Sequence, residues 1–410
     1  MKQVAIIGGG ASGMMAAIVA ARNGKQVTLI ERLNRVGKKI LVTGNGRCNM
    51  SNTNLKPQHY HSKEKIEVKP ILARFGYAQT ENFFKELGIM PLIEGTKVYP
   101  LSEQATSVLD VLRMEMERLE IEILTDTKIV DLKRGKKGWQ LQSEEGNIME
   151  AEKVIVATGG MTSNTLGCDG LGYKLLKQLG HTLNTPFPIL VHVLSSSPYC
   201  KMMKGTKIKA DVKAIVDGKL ARKEYGEVLF TEDGLSGPPI FQISRQISNA
   251  AVEKKKSQVI LDLFPTVDEE ALISLLYERT YLHPERNVED LFVGMLHKRV
   301  VMPIIKASGV KDIHRKVDTL EYEEIKALVA TLKAFTFETE GTRGYKFAQV
   351  TAGGISPNEI DFETMASLKA KDLYITGEVM DVDGDCGGYN LQWAWASGYI
   401  AGESVSRSEG

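Results

Sequence analysis

Residues 4–13 read VAIIGGGASG, a short apolar run broken by three glycines, and no charge appears between Val4 and Ala21. A lysine ahead of such a stretch resembles a secretory signal, but here the apolar run stops after four residues. The spacing Gly8-x-Gly10-x-x-Gly13 instead predicts a strand, a tight turn and a helix from about Ser12 to Asn23, with VTLI as a second buried strand. In such a unit Gly8 permits the turn, Gly10 lets the backbone approach a pyrophosphate, and Gly13 lets helix and strand pack closely. The helix start then offers free N–H groups to the phosphates. Glu31 follows Gly10 by 21 residues at the end of the second strand, where a carboxylate accepts hydrogen bonds from a ribose. The constellation predicts a dinucleotide site.

The chain has 410 residues, enough for two or three units with substantial cores. Its 52 Lys and Arg against 51 Asp and Glu produce no global field for a phosphate backbone, which argues against nucleic acid as a partner. The run Lys254–Lys256 reads as a solvated helix end. Cys48, Cys168, Cys200 and Cys386 form no C-x-x-C pair, consistent with a reducing cytoplasm. Beyond the glycine-broken opening no bilayer-length apolar run occurs, so a soluble cytoplasmic protein without a membrane partner is expected.

Three further segments favour FAD over NAD. Residues 35–53, RVGKKILVTGNGRCNMSNT, form a basic, glycine-rich connection where an NAD domain would continue into another βα unit. Lys38, Lys39 and Arg47 suit an anion there, and Gly44 and Gly46 suit close backbone approach. A strand-rich block around Glu145-Gly146 then interrupts the α/β alternation before VIVATGG ends at Thr158-Gly159-Gly160. Near the C-terminus LYITGEVMDVDGDCGGYNLQWAWASG places a strand end at Gly377-Glu378 and a helix start at Gly387-Gly388, whose N–H groups suit negative charge on a reduced flavin. Asp381, Asp383 and Asp385 imitate a calcium loop, but its sixth position is Cys386 and its twelfth Gln392, so no metal is expected.

GGGASG, KKILVTGNGRCNMSN, VIVATGG, GEVLFTEDGLSGPPIFQIS, QVTAGGIS and GEVMDVDGDCGGYNLQWAWASG follow one another along the chain. On these motifs the chain resembles, almost end to end, the bacterial HI-type conserved flavoproteins, a family of BaiN-like or aminoacetone-oxidase-like NAD(P)/FAD-dependent oxidoreductases. The resemblance implies non-covalent FAD. It places Gly8, Gly10, Ser12 and Gly13 at the pyrophosphate, Glu31 and Arg32 at the adenosine ribose, and Val130 at the adenine. Lys38, Lys39, Gly44 and Asn49 would run toward the flavin, with Thr158 and Gly159 nearby. Glu378, Asp381, Gly388, Asn390 and Leu391 would hold the ribityl and isoalloxazine end.

From about Phe187 the pattern alternates around Asp217-Gly218, a hairpin signal, and GLSGPP enters a helix with prolines in its first positions. Residues 268–332 turn helical. The expected fold is α/β: a Rossmann-like FAD-binding domain of the two-dinucleotide-binding-domain flavoprotein type (1–186 and 348–410), with an inserted antiparallel β-barrel-like domain (187–264 and 333–347) and a small helical domain (265–332). The expected activity is FAD-dependent oxidoreduction, hydride passing through flavin N5 to or from a small organic substrate in a cavity beside the insert. NAD(P)H is admitted as a transient co-substrate, because no second Gly-x-Gly-x-x-Gly occurs, and oxygen is equally admitted as acceptor. The competing class is a non-catalytic flavin-binding or regulatory protein. No catalytic constellation is legible: the histidines, His181 and His192 among them, read as ordinary, and Tyr389 and Arg343 are the candidate borders of a substrate pocket.

Overall fold

The computed structural model describes residues 2–407. It divides into a first unit, 1–187 with 348–410, and a second unit, 188–347. In the first, β1 (Lys2–Ile7) leads through Gly8–Gly10 into α1 (Ala11–Arg22) and then β2 (Val27–Ile30). The two strands pair in parallel, Val4 against Val27 through Ile7 against Ile30. Every residue of α1 from Ser12 to Ala20 is buried, which explains the absence of charge in this stretch.

After a long connection that carries the helices Val68–Arg74, Tyr77–Glu86 and Ala105–Arg118 come β3 (Glu122–Leu124), parallel to β2, and a meander of β4 (Ile129–Arg134), β5 (Trp139–Ser143) and β6 (Ile148–Val156). Strand β6 serves two neighbours: Ile148–Ala151 pairs antiparallel with β5, while its second half runs parallel to β1. The register of β4 against β5 jumps between Ile129 and Asp131, so Val130 occupies a bulge.

The second unit opens its sheet with the hairpin β7 (Lys207–Val216) and β8 (Lys219–Phe230). Asp217 (φ 47°) and Gly218 (φ 76°) make the left-handed turn that suits the twist of the strands. Pro238 and Pro239 open α2 (Pro238–Val252), and β9 (Ser257–Asp262) follows. Three helices, α3 (Glu269–Leu282), α4 (Lys298–Ala307) and α5 (Tyr322–Lys333), lead to β10 (Phe335–Glu338). The helical pattern predicted across Val288–Ala307 is broken: Val288–Phe292 is a 3-10 turn, and Gly294 (φ 81°) precedes α4. An Asn287–Asp290 capping box starts that short turn, and Val293 in extended backbone with left-handed Gly294 ends it before α4. Antiparallel pairing links β8, β7, β9 and β10 in that order. Beyond β10 the chain bends back: Leu194 N–H donates to Gly341 O and Glu340 N–H to Leu194 O, both at 2.9 Å. The sheet is therefore curled and partly closed, as a barrel-like sheet should be.

Back in the first unit, β11 (Leu373–Ile375) pairs in parallel with β6, and α6 (Tyr389–Ser404) completes the chain's secondary structure among the described residues. The central strands of the nine-stranded sheet run in the order β11-β6-β1-β2-β3. Loops leaving β1, β2, β6 and β11 all emerge at the carboxyl edge, where α/β sheets bind nucleotides. Helix α6 lies directly on α1: a Cβ at Gly398 would be 2.4 Å from the Ser12 carbonyl oxygen, and one at Gly402 2.7 Å from that of Ala16. No helix among the described residues is long and apolar enough to cross a membrane.

Candidate cofactor and active site

Gly8 has φ 110°, and a Cβ there would stand 2.4 Å from the Ala157 carbonyl oxygen. At Gly13 a Cβ would meet Gly8 O at 1.9 Å, so the turn, β6 and α1 are in backbone contact. Gly10 differs: a Cβ there meets no protein atom within 4 Å. Extended at φ −82°, it caps α1 without a side-chain hydrogen bond, which leaves the helix's first N–H groups for another acceptor.

Both oxygens of the buried Glu31 carboxylate accept backbone N–H bonds, Oε2 from Gly9 and Oε1 from Leu33, each at 2.9 Å. Burial raises its pKa above the ordinary value, while those N–H groups and the nearby Arg32 and Lys38 charges pull it back. Arg32 turns elsewhere. Its guanidinium donates to Gly167 O at 3.0 Å and Asn164 O at 2.6 Å and lies 3.3 Å from Asp169, clamping the 164–169 loop. The chain after β2 also binds the approach to β4: Asp126 N–H donates to Leu33 O and Thr127 N–H to Glu31 O, both at 3.0 Å, with the Val130 bulge just beyond.

Lys39 Nζ donates to Glu378 Oε2 at 2.7 Å and Thr162 Oγ1 at 3.0 Å, while Glu378 Oε1 accepts from Thr351 N–H at 2.9 Å. This half-buried pair joins the basic connection to the loop after β11. That loop is fixed by α6 in turn, since Gly377 N–H donates to Ser397 Oγ at 3.0 Å. Gly159 lies against Cys168, whose thiol burial pushes above its ordinary pKa.

Gly44 (φ 56°) packs on the Asn49 backbone, and a Cβ at Gly388 would meet Asn49 Oδ1 at 2.8 Å and Ser51 O at 2.3 Å. Residues 49–52 are thereby pressed onto the start of α6. Trp395 Nε1 donates to Met50 O at 3.0 Å, and Asn52 Nδ2 to Gly387 O at 2.8 Å. Asn390 spends its amide on the preceding turn, accepting from Gly384 N–H and donating to Gly384 O, both at 2.8 Å. Leu391 follows it, half-buried in the first turn of α6. Asp381 is fully buried: its Oδ2 accepts from Ser62 Oγ and Lys63 N–H at 3.1 Å and from Asn184 Nδ2 at 2.8 Å. Its Oδ1, with Thr158 Oγ1 and Thr376 Oγ1, is buried with no hydrogen-bond partner among the described residues.

One cluster escaped the reading of the sequence. The two-residue strand Tyr60–His61 pairs antiparallel with Asp383–Gly384, which seats Asp385 between two imidazoles. Asp385 Oδ2 is 3.0 Å from His59 Nδ1, and Oδ1 is 2.9 Å from His61 Nε2. The His59 ring stacks on Tyr389 at 4.6 Å. Burial and the Asp385 charge push the Tyr389 phenol up to about 12. The only signal was the H-x-H spacing, and nothing local pointed to a partner more than 300 residues away. Of the two candidate pocket borders, Tyr389 belongs to this cluster. Arg343 instead donates to both oxygens of Asp233 in the second unit, at 2.8 Å.

The model of the HI0933-like protein Rossmann domain matches residues 2–404. The chain is 37% identical over 409 residues to a 3-dehydro-bile acid delta(4,6)-reductase of Clostridium scindens, with 99% of each chain covered. It is also 31% identical to a ribosomal RNA dihydrouridine synthase of Escherichia coli (98% of this chain, 97% of that one). A protein of the same description from Haemophilus influenzae is 30% identical, with 98% of both covered. The motifs recognised at both ends of the sequence meet in one sheet edge, and a family model spans them: the chain belongs to the HI0933-like family of Rossmann-fold flavoprotein oxidoreductases.

Proposed function

We propose that this chain holds FAD across the carboxyl edge of its first unit and reduces a carbon–carbon double bond conjugated to a carbonyl, with NAD(P)H as transient hydride source. The observation carrying the cofactor reading is the set of buried atoms without partners on those loops, Thr158 Oγ1, Thr376 Oγ1 and Asp381 Oδ1. A buried polar atom left unpaired costs free energy, and a bound molecule rich in hydroxyls and phosphate oxygens relieves it. In this reading the uncapped start of α1, with Gly8, Gly10, Ser12 and Gly13, takes the pyrophosphate. Glu31 uses its remaining lone pairs on the ribose, Val130 flanks the adenine, and Arg32 shapes the pocket through the 164–169 loop. Lys38, Thr158 and Gly159 line the middle. Asp381 Oδ1 takes a ribityl hydroxyl, and the Lys39–Glu378 pair with Gly44, Asn49, Gly388, Asn390 and Leu391 frames the flavin end. The inserted stretch is taken as a barrel-like domain (187–264, 333–347) carrying a helical one (265–332), and the protein as cytoplasmic.

When bound, the flavin supplies hydride from N5. The reaction class is supported by the relatives' names. Saturating the delta(4,6) bonds of a 3-oxo steroid and converting uridine to dihydrouridine both add two hydrogens to a double bond conjugated with a carbonyl. A small enone is the first reading of the substrate. A uridine in RNA is the second, favoured by two of the relatives and by exposed Lys201, Lys209 and Lys219 in the second unit. Purified protein is expected to show a flavin spectrum that NADH or NADPH bleaches without oxygen. A steroid enone or a uridine-containing ribosomal RNA fragment should restore it. A protein that stays colourless with added FAD sinks the cofactor reading, and a bleached protein that neither probe restores sinks the reaction.

A further inference from the structure

The carboxylate of Asp385 accepts from His59 Nδ1, which assigns the proton of that nitrogen and leaves Nε2 as the working atom of the ring. His59 Nε2 is buried and has no hydrogen-bond partner among the described residues. Left so it is costly, whereas a ligand oxygen beside it would make the bond. The ring is also immobilised, stacked on the first residue of α6 behind Gly387-Gly388. His61, on the other oxygen of the same carboxylate, is 24% exposed and gives the cluster access to water. The titratable and charged groups around the pair are Tyr389, stacked on His59, Tyr60, edge-on to Tyr389 at 6.0 Å, Asp383, opposite His61 on the paired strand, Cys386, next to Asp385 in the chain, and Lys97, whose charge acts on Cys386. Burial pushes Tyr60, Tyr389 and Cys386 upward, so these three stay neutral near pH 7.

We infer that His59, as the imidazolium with a proton on each ring nitrogen, is the proton donor of the reduction, clamped by Asp385 and Tyr389, with Nε2–H on the carbonyl side of a conjugated double bond. This rests on the reading of the chain as a reductase of such bonds. Hydride, carrying its electron pair, forms the new C–H bond at the β-carbon, and the π pair shifts toward the carbonyl as an enolate. The enolate takes the proton of His59 Nε2, and the broken N–H bond leaves a neutral imidazole. Water returns that proton after product departs. The hydride comes from reduced flavin, which a nicotinamide dinucleotide recharges.

The test compares wild type, His59→Gln and Asp385→Asn, each loaded with FAD, photoreduced without oxygen and mixed with a steroid enone. Both variants are expected to keep the flavin spectrum and to photoreduce normally. Reoxidation should slow about 100-fold or more in His59→Gln, with Asp385→Asn between it and wild type. Wild-type reoxidation in His59→Gln, by an enone that wild type reduces, overturns the proton donor alone. A wild type that reduces neither the enone nor a uridine-containing RNA fragment overturns the reductase reading and the donor with it. Nitrogen NMR of the oxidised holoprotein reads the tautomer without turnover. A protonated Nδ1 in His59 that loses its hydrogen-bonded signature in Asp385→Asn is expected, and an unprotonated Nδ1 at about pH 8 overturns the assignment.

Discussion

The two units bury different things. In the second, the core is aliphatic and aromatic, Phe230, Phe335 and Phe337 with Leu272, Leu276 and Leu328, and its buried carboxylate Asp262 is neutralised by Lys333 at 2.8 Å. Away from the cofactor edge the first unit also buries a cation-paired carboxylate, Glu115 with Arg22 and Arg118; at that edge it buries Glu31, Asp381, Asp383, Asp385 and Gln392, and Glu31 and Asp381 take N–H and hydroxyl donors rather than cations. Burying charge without a cation is expensive. A chain that does so repeatedly at one sheet edge is arranged around a binding task, while the second unit is arranged around its own packing.

That contrast can be broken in several ways. Phe337→Ala, in the apolar core, is expected to cost about 3–5 kcal/mol in urea unfolding. A cost near zero would show that the second core is not what holds it. Gly13→Ala drives a Cβ into Gly8 O and should cost about 3 kcal/mol while weakening FAD binding, read by flavin fluorescence titration. Unchanged affinity would detach the turn from the cofactor. Asp381→Asn is expected to weaken FAD about 10-fold, the worth of one hydrogen bond to a charged group, with little change in the apoprotein's melting. A reversed pattern, destabilised but equally tight, would make Asp381 a scaffold residue.

Acid stability should be shared by both units. Burial lowers the pKa of His181 in the first, with Glu359 opposing, and burial and Arg343 lower that of His192 in the second. A histidine depressed below its unfolded value of about 6.5 contributes stability that is complete above that pH and lost as pH falls through the folded value. His181→Gln and His192→Gln should each flatten the acid limb of the stability profile, and an unchanged limb would refute the assignment. The smallest effect concerns the thiols. Burial pushes Cys48 up to about 12 and Cys200 up to about 11, and Cys168 and Cys386 also rise. All four should resist iodoacetamide in the native protein and react once it is denatured. Fast native labelling of one would expose a misplaced environment.

What the sequence made legible was local. Gly8, Gly10 and Gly13 announce their turn because each answers a steric demand within a few residues, and Asp217-Gly218 does the same for its hairpin. VIVATGG and LYITGE could each be read as a short apolar strand ending in glycine, but their pairing came only with the structure. Non-local polar contacts stayed hidden. His59 and Asp385 meet through strands of two residues, too short for any period, and the hold of Arg32 on the 164–169 loop had no local sign in the sequence. The helical pattern at 288–307 misled because the extended backbone at Val293 and the left-handed Gly294 outweigh apolar spacing.

The contact of Gly398 and Gly402 with α1 also bears on the order in which the molecule is made. Helix α1 emerges early, yet the helix it touches through bare backbone is more than 360 residues away. At a synthesis rate of about 5–20 residues per second, roughly 20–80 s separate the two. During that interval the apolar helix lacks its partner and is a natural client for a holding chaperone, whereas the contiguous 188–347 stretch has all its strands and helices while the ribosome is still working.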